Sequence, residues 1–193
     1  IVGPTIVAPW REQLESAKTL KHLEELLARL ENFRVLDPAC GSGNFLYIAY
    51  RERKHLEARI YERMGEFPSR NAAQRPFGFV TSKNFYGMDI QPFAIELAKV
   101  TMMLAHKLAI DELHVTENAL PLDNLDANFS VGDALIQPDG RGGHIRTEWP
   151  PVDVIIGNPP FIGAKLMKPL LGADYVKAVR RAYPEVPGMA DYC

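Results

Sequence analysis

The chain has 193 residues, of which 24% are charged and 47% are hydrophobic, and its formal net charge is −2. This composition is typical of a globular chain and excludes a disordered or collagen-like one. Two cysteines, Cys40 and Cys193, are too few for a disulfide scaffold or a four-ligand metal site, so we predict no metal and a reducing, cytoplasmic setting. No apolar run reaches the roughly eighteen residues of a membrane-spanning helix, which argues against a membrane protein.

The first part of the chain predicts a helix, a strand and a second helix. Residues 10–30 carry apolar side chains at every third or fourth position, which predicts one amphipathic helix. Residues 33–37 predict a short buried strand, ended by a turn at residues 38–43. Asn44 is expected to cap the next helix, which runs to about residue 63. We expect its apolar first half to pack on a sheet and its charged second half to reach solvent.

Strands and helices alternate through the rest of the chain. A strand at residues 84–90 leads into a helix at 91–110, with Pro92 in its first turn. The other predictions are irregular chain at 65–83, loop and short helical turns at 111–126, strands at 128–132 and 152–156, a loop or hairpin at 137–149 and a helix at 175–183. Because this alternation is typical of βαβ units, it predicts an α/β fold with an open, mainly parallel sheet.

Residues 37–45, DPACGSGNF, form a glycine-rich turn between the first strand and a helix. Such a turn presents backbone N–H groups to an anionic group at the helix N-terminus. The dinucleotide fingerprint would need a third glycine where Leu46 stands, and no lysine follows as in a P-loop. Since Asp37 could meet an ammonium while the amides meet a carboxylate, the turn favours an amino-acid-like ligand. The alternative is a turn that serves topology only.

Two further aspartates end the next two predicted strands. Asp89 could accept both hydroxyls of a ribose, and Ile90 offers an apolar surface for a purine. Asp133 could accept a hydrogen bond from the exocyclic amine of that purine, although an aspartate at a strand end is commonly only a helix cap. An amino acid, a ribose and adenine at three successive strand ends together predict S-adenosylmethionine as the cofactor.

Residues 158–161, NPPF, directly follow the last predicted strand. Pro159 and Pro160 remove two backbone donors, so the Asn158 side-chain oxygen and the Pro159 carbonyl become a rigid pair of acceptors. An amine held by both would present its lone pair to an electrophilic methyl group, and Phe161 could stack on the ring that bears the amine. This would be catalysis by positioning, without a metal or a strong base. The alternative is a proline-rich loop that only ends a buried strand.

These two motifs, DPACGSGNFL at residues 37–46 and NPPF at residues 158–161, resemble those of the gamma-class adenine-N6 DNA methyltransferases. Residues 152–165 and 186–192 most resemble the methyltransferase region of MmeI-like type IIL/IIG restriction-modification enzymes. The resemblance implies a Rossmann-like, S-adenosylmethionine-dependent methyltransferase in a prokaryotic cytoplasm. It would methylate adenine N6 of a flipped base at specific sites in double-stranded DNA, within a restriction-modification or phage-defence system.

The resemblance also implies which residues form the site. The predicted catalytic residues are Asn158, Pro159, Pro160 and Phe161; the predicted cofactor-binding residues are Asp37, Ala39, Cys40, Gly41, Gly43, Asn44, Phe45, Asp89, Ile90, Asp133 and Ala134. Asp37 and the turn would contact the methionine part of the cofactor. Cys40 itself is expected to be a small turn residue rather than a nucleophile.

The same resemblance implies a sheet of seven strands, of which we predict about four here. Residues 1–32 are expected to form an N-terminal segment and helix that pack on the cofactor domain, and residues 33–193 a truncated catalytic domain. The target-recognition domain that such enzymes carry is expected to be absent, with Cys193 ending the chain inside the catalytic domain.

DNA is expected to approach a basic cluster after the NPPF motif, and other functions stay open beside this one. The cluster is Lys165, Lys168, Lys177, Arg180 and Arg181; a solvated helix face is its alternative explanation, as it is for a second basic region at residues 51–83. One alternative function is methylation of another planar amine or amide, such as a protein glutamine. Those enzymes usually have tyrosine in place of Phe161 and lack the Asp-Pro-Ala-Cys turn. A further alternative is a cofactor-binding fragment without activity of its own.

Overall fold

A computed structural model describes residues 1–67, 80–113 and 124–191 of the chain. Its helices are α1 (Ala8–Ser16), α2 (Leu20–Asn32), α3 (Asn44–Gly65), α4 (Pro92–Leu113), α5 (Ala164–Leu171) and α6 (Ala173–Ala182), with a π-helical turn at Gly3–Val7 and a 3-10 turn at Ser82–Asn84. Its strands are β1 (Val35–Asp37), β2 (Phe85–Asp89), β3 (Phe129–Val131), β4 (Ile136–Pro138), β5 (His144–Arg146) and β6 (Val154–Ile155). No helix within these ranges is long and apolar enough to cross a membrane.

Four of the strands form a parallel sheet in the order β3-β2-β1-β6. Leu36 of β1 pairs with Tyr86 of β2 on one side and with Ile155 of β6 on the other. The predicted α/β fold with a mainly parallel sheet is therefore confirmed. Because all four strands run the same way, the residues that follow β1, β2, β3 and β6 meet at one edge of the sheet. The hairpin of β4 and β5 is antiparallel and lies in the segment predicted as a loop or hairpin.

The prediction of one helix over residues 10–30 is wrong, because α1 and α2 are separate helices. The chain is extended at Ala17 and at Thr19, and the Thr19 hydroxyl accepts a hydrogen bond from the His22 amide at 3.2 Å. This cap satisfies one of the free N–H groups at the start of α2, so a new helix begins there. The apolar faces of both helices still join the core that continues through the sheet to Ile156. The domain division at residue 32 stays a prediction.

The expected cap of α3 is also wrong by one residue. Gly43, in a left-handed conformation with φ of 82°, is the N-cap, and Asn44 is the first helical residue and is exposed. Glycine adopts this conformation without the steric cost that a Cβ would bring. The turn therefore enters the helix through backbone geometry rather than through a side-chain cap.

The charged half of α3 reaches solvent only in part: Arg59 and Glu62 are exposed as predicted, whereas Arg53, Lys54 and Glu57 are fully buried. The Arg53 guanidinium donates a hydrogen bond to the Leu30 carbonyl and lies over the ring of Phe85, and the Lys54 Nζ is 3.5 Å from a Glu57 carboxylate oxygen. Burial lowers the pKa of Arg53 to about 9. The reason is tertiary: α2 and the sheet cover one face of this half of the helix, and the buried charges find partners there.

The chain after β6 forms two helices where one was predicted. The predicted helix at 175–183 corresponds to α6, whereas α5 was not predicted, and the strand expected at 152–156 is only two residues long. The Arg146 side chain ties the hairpin to α6, because it donates to the Ala182 carbonyl and to the Glu185 carboxylate at 2.5 Å each. The irregular segments predicted at 65–83 and 111–126 lie largely outside the described residues.

Candidate active site

The glycine-rich turn is fastened to the end of β2. The Cys40 amide donates to the Met88 carbonyl at 2.9 Å, and the Gly41 amide donates to a carboxylate oxygen of Asp89 at 3.0 Å. A Cβ on Gly43 would lie 3.2 Å from Ala98, so glycine lets α4 pack closely against the turn. The turn is therefore held by hydrogen bonds within the chain, and the Gly41 amide is already the donor of one of them.

Asp37, at the end of β1, is a buried carboxyl group with one unsatisfied oxygen. Its Oδ1 accepts a hydrogen bond from the Ala39 amide at 3.1 Å, whereas its Oδ2 has no partner in the described part of the chain. Burial raises the pKa of Asp37 from 3.8 to about 6; the Ala39 amide opposes this rise and the Asp89 carboxylate adds to it. Such a group is costly unless a donor or a cation pairs with it.

Cys40 and Asp89 have different tasks beside Asp37. The Cys40 thiol is buried and packs close to Gly87, and burial raises its pKa to about 12, with the Asp37 and Asp89 carboxylates adding to the rise. A thiol with a raised pKa is a poor nucleophile at neutral pH, because reaction needs the thiolate. Asp89 accepts from the amides of Gly41 and Gln91, at 3.0 Å and 2.9 Å, and so shapes the start of α4 as well as the turn.

Asp133, after β3, is fixed by three donors. Its Oδ1 accepts from the amides of Leu135 and Ile136 at 2.7 Å and 3.2 Å, and its Oδ2 accepts from the Tyr175 hydroxyl at 2.7 Å. The two amide bonds close a local turn that leads into β4, so Asp133 does not cap a helix here. The Tyr175 bond, by contrast, comes from α6 and holds the oxygen that this turn leaves over.

The NPPF loop lies against Asp37 because β1 and β6 are neighbours. The Ile156 amide donates to the Leu36 carbonyl at 2.9 Å, and a Cβ on Gly157 would lie 2.7 Å from the Oδ1 of Asp37. Only glycine allows this close approach. Beyond it the loop is open, and the Phe161 ring is 74% exposed. The strand end thus delivers an exposed loop directly beside the buried carboxyl.

One cavity of about 380 Å³ joins the ends of β1, β2, β3 and β6. The predicted site residues that line it are Ala39, Asp89, Ile90, Asp133, Ala134, Pro159 and Pro160. Its size is in the range of small-molecule sites. Cys40, Gly43 and Phe45 support the turn from the core side instead. The other predicted residues outside the lining are Asp37, which is buried next to it, Gly41, and the exposed Asn44, Asn158 and Phe161.

Sequence reasoning missed Trp149, which also lines this cavity. Its ring is 38% exposed, and its indole N–H donates to the Ala134 carbonyl at 2.7 Å. The signal in the sequence is a tryptophan directly after a hairpin and before Pro150 and Pro151, but nothing local says that the hairpin folds back over the end of β3.

The basic cluster after the NPPF motif lies on α5 and α6, and all five side chains are exposed. Two of them have local partners. Arg180 donates to the Gly188 carbonyl at 2.5 Å, and the Lys177 Nζ lies 3.5 Å from a carboxylate oxygen of Asp174. Arg180 thus holds the segment after α6 in addition to any role at the surface.

Comparisons with known proteins identify the family and the fold of the chain. The family described as "MmeI, DNA-methyltransferase domain" matches residues 12–193. Its solved relative, the type IIL restriction-modification enzyme MmeI in complex with DNA, has the same fold: the TM-score is 0.71 at 21% identity, covering 98% of this chain and 25% of that chain.

Curated relatives are similar in sequence over part of their length. DNA methyltransferase A of Bacillus subtilis (strain 168) is 33% identical over 156 residues, which are 74% of this chain and 16% of that protein. The adenine-specific methyltransferase PglX of Streptomyces coelicolor is 27% identical over 118 residues, 61% of this chain and 9% of that protein. The chain thus spans less than a fifth of the length of these relatives. Since the family match covers nearly all of it, the chain belongs to the family of MmeI DNA-methyltransferase domains.

Proposed function

We propose that the chain binds S-adenosylmethionine and takes part in methylating adenine N6 of a flipped base in DNA. The observation that carries the proposal is the cavity in which Asp89 and Asp133 meet the prolines of the NPPF loop, beside the buried carboxyl of Asp37. The proposal goes beyond the family membership, because it names the cofactor, the substrate base and the residues that bind them.

The residues present fit the proposed cofactor. The unsatisfied Oδ2 of Asp37 suits the ammonium of an amino acid, because a cation offsets the cost of burying this carboxylate. Ile90 and Trp149 offer apolar surface for a purine, and Asp133 offers an acceptor for its amine. When bound, S-adenosylmethionine supplies a methyl group on a sulfonium, which is a good leaving group.

The NPPF loop would hold the target base. The Asn158 side-chain oxygen and the Pro159 carbonyl would accept the two N–H groups of the exocyclic amine, which draws the nitrogen lone pair out of conjugation with the ring. Phe161 would stack on the flipped base, and its exposed ring is free to do so. These residues position the amine, so no titratable side chain needs to act on it.

Double-stranded DNA would approach along α5 and α6. Lys165, Lys168 and Arg181 are exposed there, on the two helices that follow the NPPF loop. Contacts to phosphates make binding weaker as salt rises. We expect the Lys165→Gln/Lys168→Gln double variant to reduce the salt dependence of DNA binding while leaving cofactor affinity unchanged, as measured by fluorescence anisotropy and calorimetry.

Cofactor binding can be followed through tryptophan fluorescence. The chain has two tryptophans; Trp10 is buried in the N-terminal core, whereas Trp149 lines the cavity. We expect S-adenosylhomocysteine to change the emission of the Trp10→Phe variant and to leave that of the Trp149→Phe variant unchanged. A change that persists without Trp149 would place the cofactor elsewhere.

Methyl transfer is tested with labelled S-adenosylmethionine and mixed-sequence duplex DNA, with protein substrates assayed in parallel. The expected product is N6-methyladenine, identified by mass spectrometry of the digested DNA and lost in the Asn158→Ala variant. Label on cytosine or on glutamine would contradict the proposed substrate. Tight cofactor binding without any transfer would favour a cofactor-binding fragment instead.

A further inference from the structure

The short turn after β3 is held by side chains from two later parts of the chain. The Thr147 hydroxyl donates to the Asp133 carbonyl at 2.7 Å, the Trp149 indole to the Ala134 carbonyl at 2.7 Å and the Tyr183 hydroxyl to the Leu135 carbonyl at 2.9 Å. All three bonds end on backbone carbonyls. They fix the position of the turn but leave the direction of the Asp133 side chain to other groups.

Tyr175 is different, because its hydroxyl donates to the carboxylate of Asp133 at 2.7 Å. The other carboxylate oxygen is already held by the amides of Leu135 and Ile136. Three donors therefore set the plane of the carboxylate. Since each carboxylate oxygen can accept more than one hydrogen bond, the Oδ2 can still accept one from a ligand in the cavity that Asp133 lines.

Tyr175 contacts Asp133 but not the cavity itself. Its side chain is half-buried and does not line the 380 Å³ cavity, so it meets a ligand there only through Asp133. The helix that carries it, α6, is anchored at its C-terminal end, because the Arg146 guanidinium donates to the Ala182 carbonyl and also contacts Tyr183 and Glu185 just beyond the helix. The Tyr175 hydroxyl is thus presented on a fixed element.

We propose that Tyr175 is a positioning residue that makes the cavity selective for a 6-amino purine over a 6-oxo purine; this inference rests on the proposed function. An ionised carboxylate only accepts hydrogen bonds, so it binds an amine and repels the carbonyl oxygen of a 6-oxo ring. Repulsion excludes a ligand only if the carboxylate cannot turn away. The hydroxyl of Tyr175 prevents that rotation.

The test compares S-adenosylhomocysteine with its deaminated analogue, S-inosylhomocysteine, by calorimetry on the full chain. We expect the wild-type chain to prefer the amino compound strongly, and the Tyr175→Phe variant to lose about tenfold of that preference, as for a hydrogen bond to a charged group. Tyr183→Phe is the matched control. It also removes a tyrosine hydroxyl, but this hydroxyl donates to the backbone carbonyl of Leu135 and not to Asp133. The preference of this variant for the amino compound is therefore expected to stay within about twofold of wild type.

Measuring a ratio on each variant separates positioning from folding, because a loss of folded protein lowers both affinities equally. In an Asp133→Ala background, the Tyr175→Phe substitution is expected to leave the ratio unchanged. A wild-type preference that survives Tyr175→Phe would overturn this inference alone. So would a loss of preference that persists without Asp133, or an equal loss in the Tyr183→Phe control. Failure of the wild-type chain to bind either compound would overturn the proposed function as well.

Discussion

The proposed cofactor side and the proposed target side of the candidate site are built in different ways. The cofactor side consists of the glycine-rich turn with Asp37, Asp89 and Asp133, and its groups are buried or held by hydrogen bonds within the chain. The target side is the NPPF loop at residues 158–161, which is largely exposed. The chain thus completes one side by itself and leaves the other to be completed by a substrate. Substitutions on the two sides should therefore affect different measurements.

The largest effect is expected on the target side. Replacing Asn158 with alanine removes one of two acceptors for the amine, and turnover should fall by about 10²- to 10³-fold, as for loss of one preorganised hydrogen-bonding partner. Because Asn158 is exposed and outside the cavity lining, cofactor affinity and the free energy of unfolding should be nearly unchanged. Labelled methyl transfer, calorimetry and urea unfolding check these three values; equal losses of turnover and affinity would erase the distinction between the two sides.

On the cofactor side, Asp37→Asn should lower affinity while raising stability. Loss of a charged partner is expected to weaken S-adenosylmethionine binding by about 10- to 150-fold. At pH 8, the free energy of unfolding of the ligand-free variant should exceed that of wild type by up to about 3 kcal/mol, because the variant no longer buries an ionised carboxyl. Asp89→Asn is the comparison variant: it weakens acceptors for two backbone amides and should reduce stability. Unchanged affinity in Asp37→Asn would remove Asp37 from the site.

The raised pKa of Asp37 also predicts two opposite pH trends. Protonation is favoured in the folded chain, so the stabilising contribution of Asp37 is complete below pH 3.8 and is lost as the pH rises through about 6. Binding of a cationic ligand needs the ionised form, so affinity should fall about tenfold per pH unit below pH 6. The difference between wild type and Asp37→Asn at pH 5, 6 and 7 isolates both trends. Parallel curves for the two chains would show that Asp37 does not titrate in this range.

The smallest expected effect is a difference in unfolding free energy between substitutions at two neighbouring residues, Gly43 in the turn and Asn44 at the start of α3. Gly43→Ala places a Cβ at positive φ and 3.2 Å from Ala98, so it should cost about 1–3 kcal/mol of unfolding free energy. Asn44→Ala, one residue later, should change it by less than about 0.5 kcal/mol, because Asn44 is exposed and does not cap α3. Urea unfolding of both variants measures the contrast, and a larger loss for Asn44→Ala would restore Asn44 as the cap.

Local patterns were enough to predict most of the sheet and its turn. The apolar runs before Asp37 and Asp89 indicate buried strands, and the glycines after Asp37 predict a turn. The same patterns failed where distant segments decide. The buried Arg53 depends on the Leu30 carbonyl and the Phe85 ring, which lie far from it in sequence, so its charge alone pointed wrongly to solvent.

The sequence by itself determined the α/β order, the glycine-rich turn and the position of the NPPF loop after a strand, because backbone conformation follows from neighbouring residues. Only the tertiary structure decided which oxygen of Asp37 lacks a partner among the described residues, that Trp149 lines the cavity, and that Tyr175 holds Asp133 from 42 residues away. The physical reason is that desolvation and side-chain hydrogen bonds arise between segments brought together by the fold, and no local pattern encodes which segments those are.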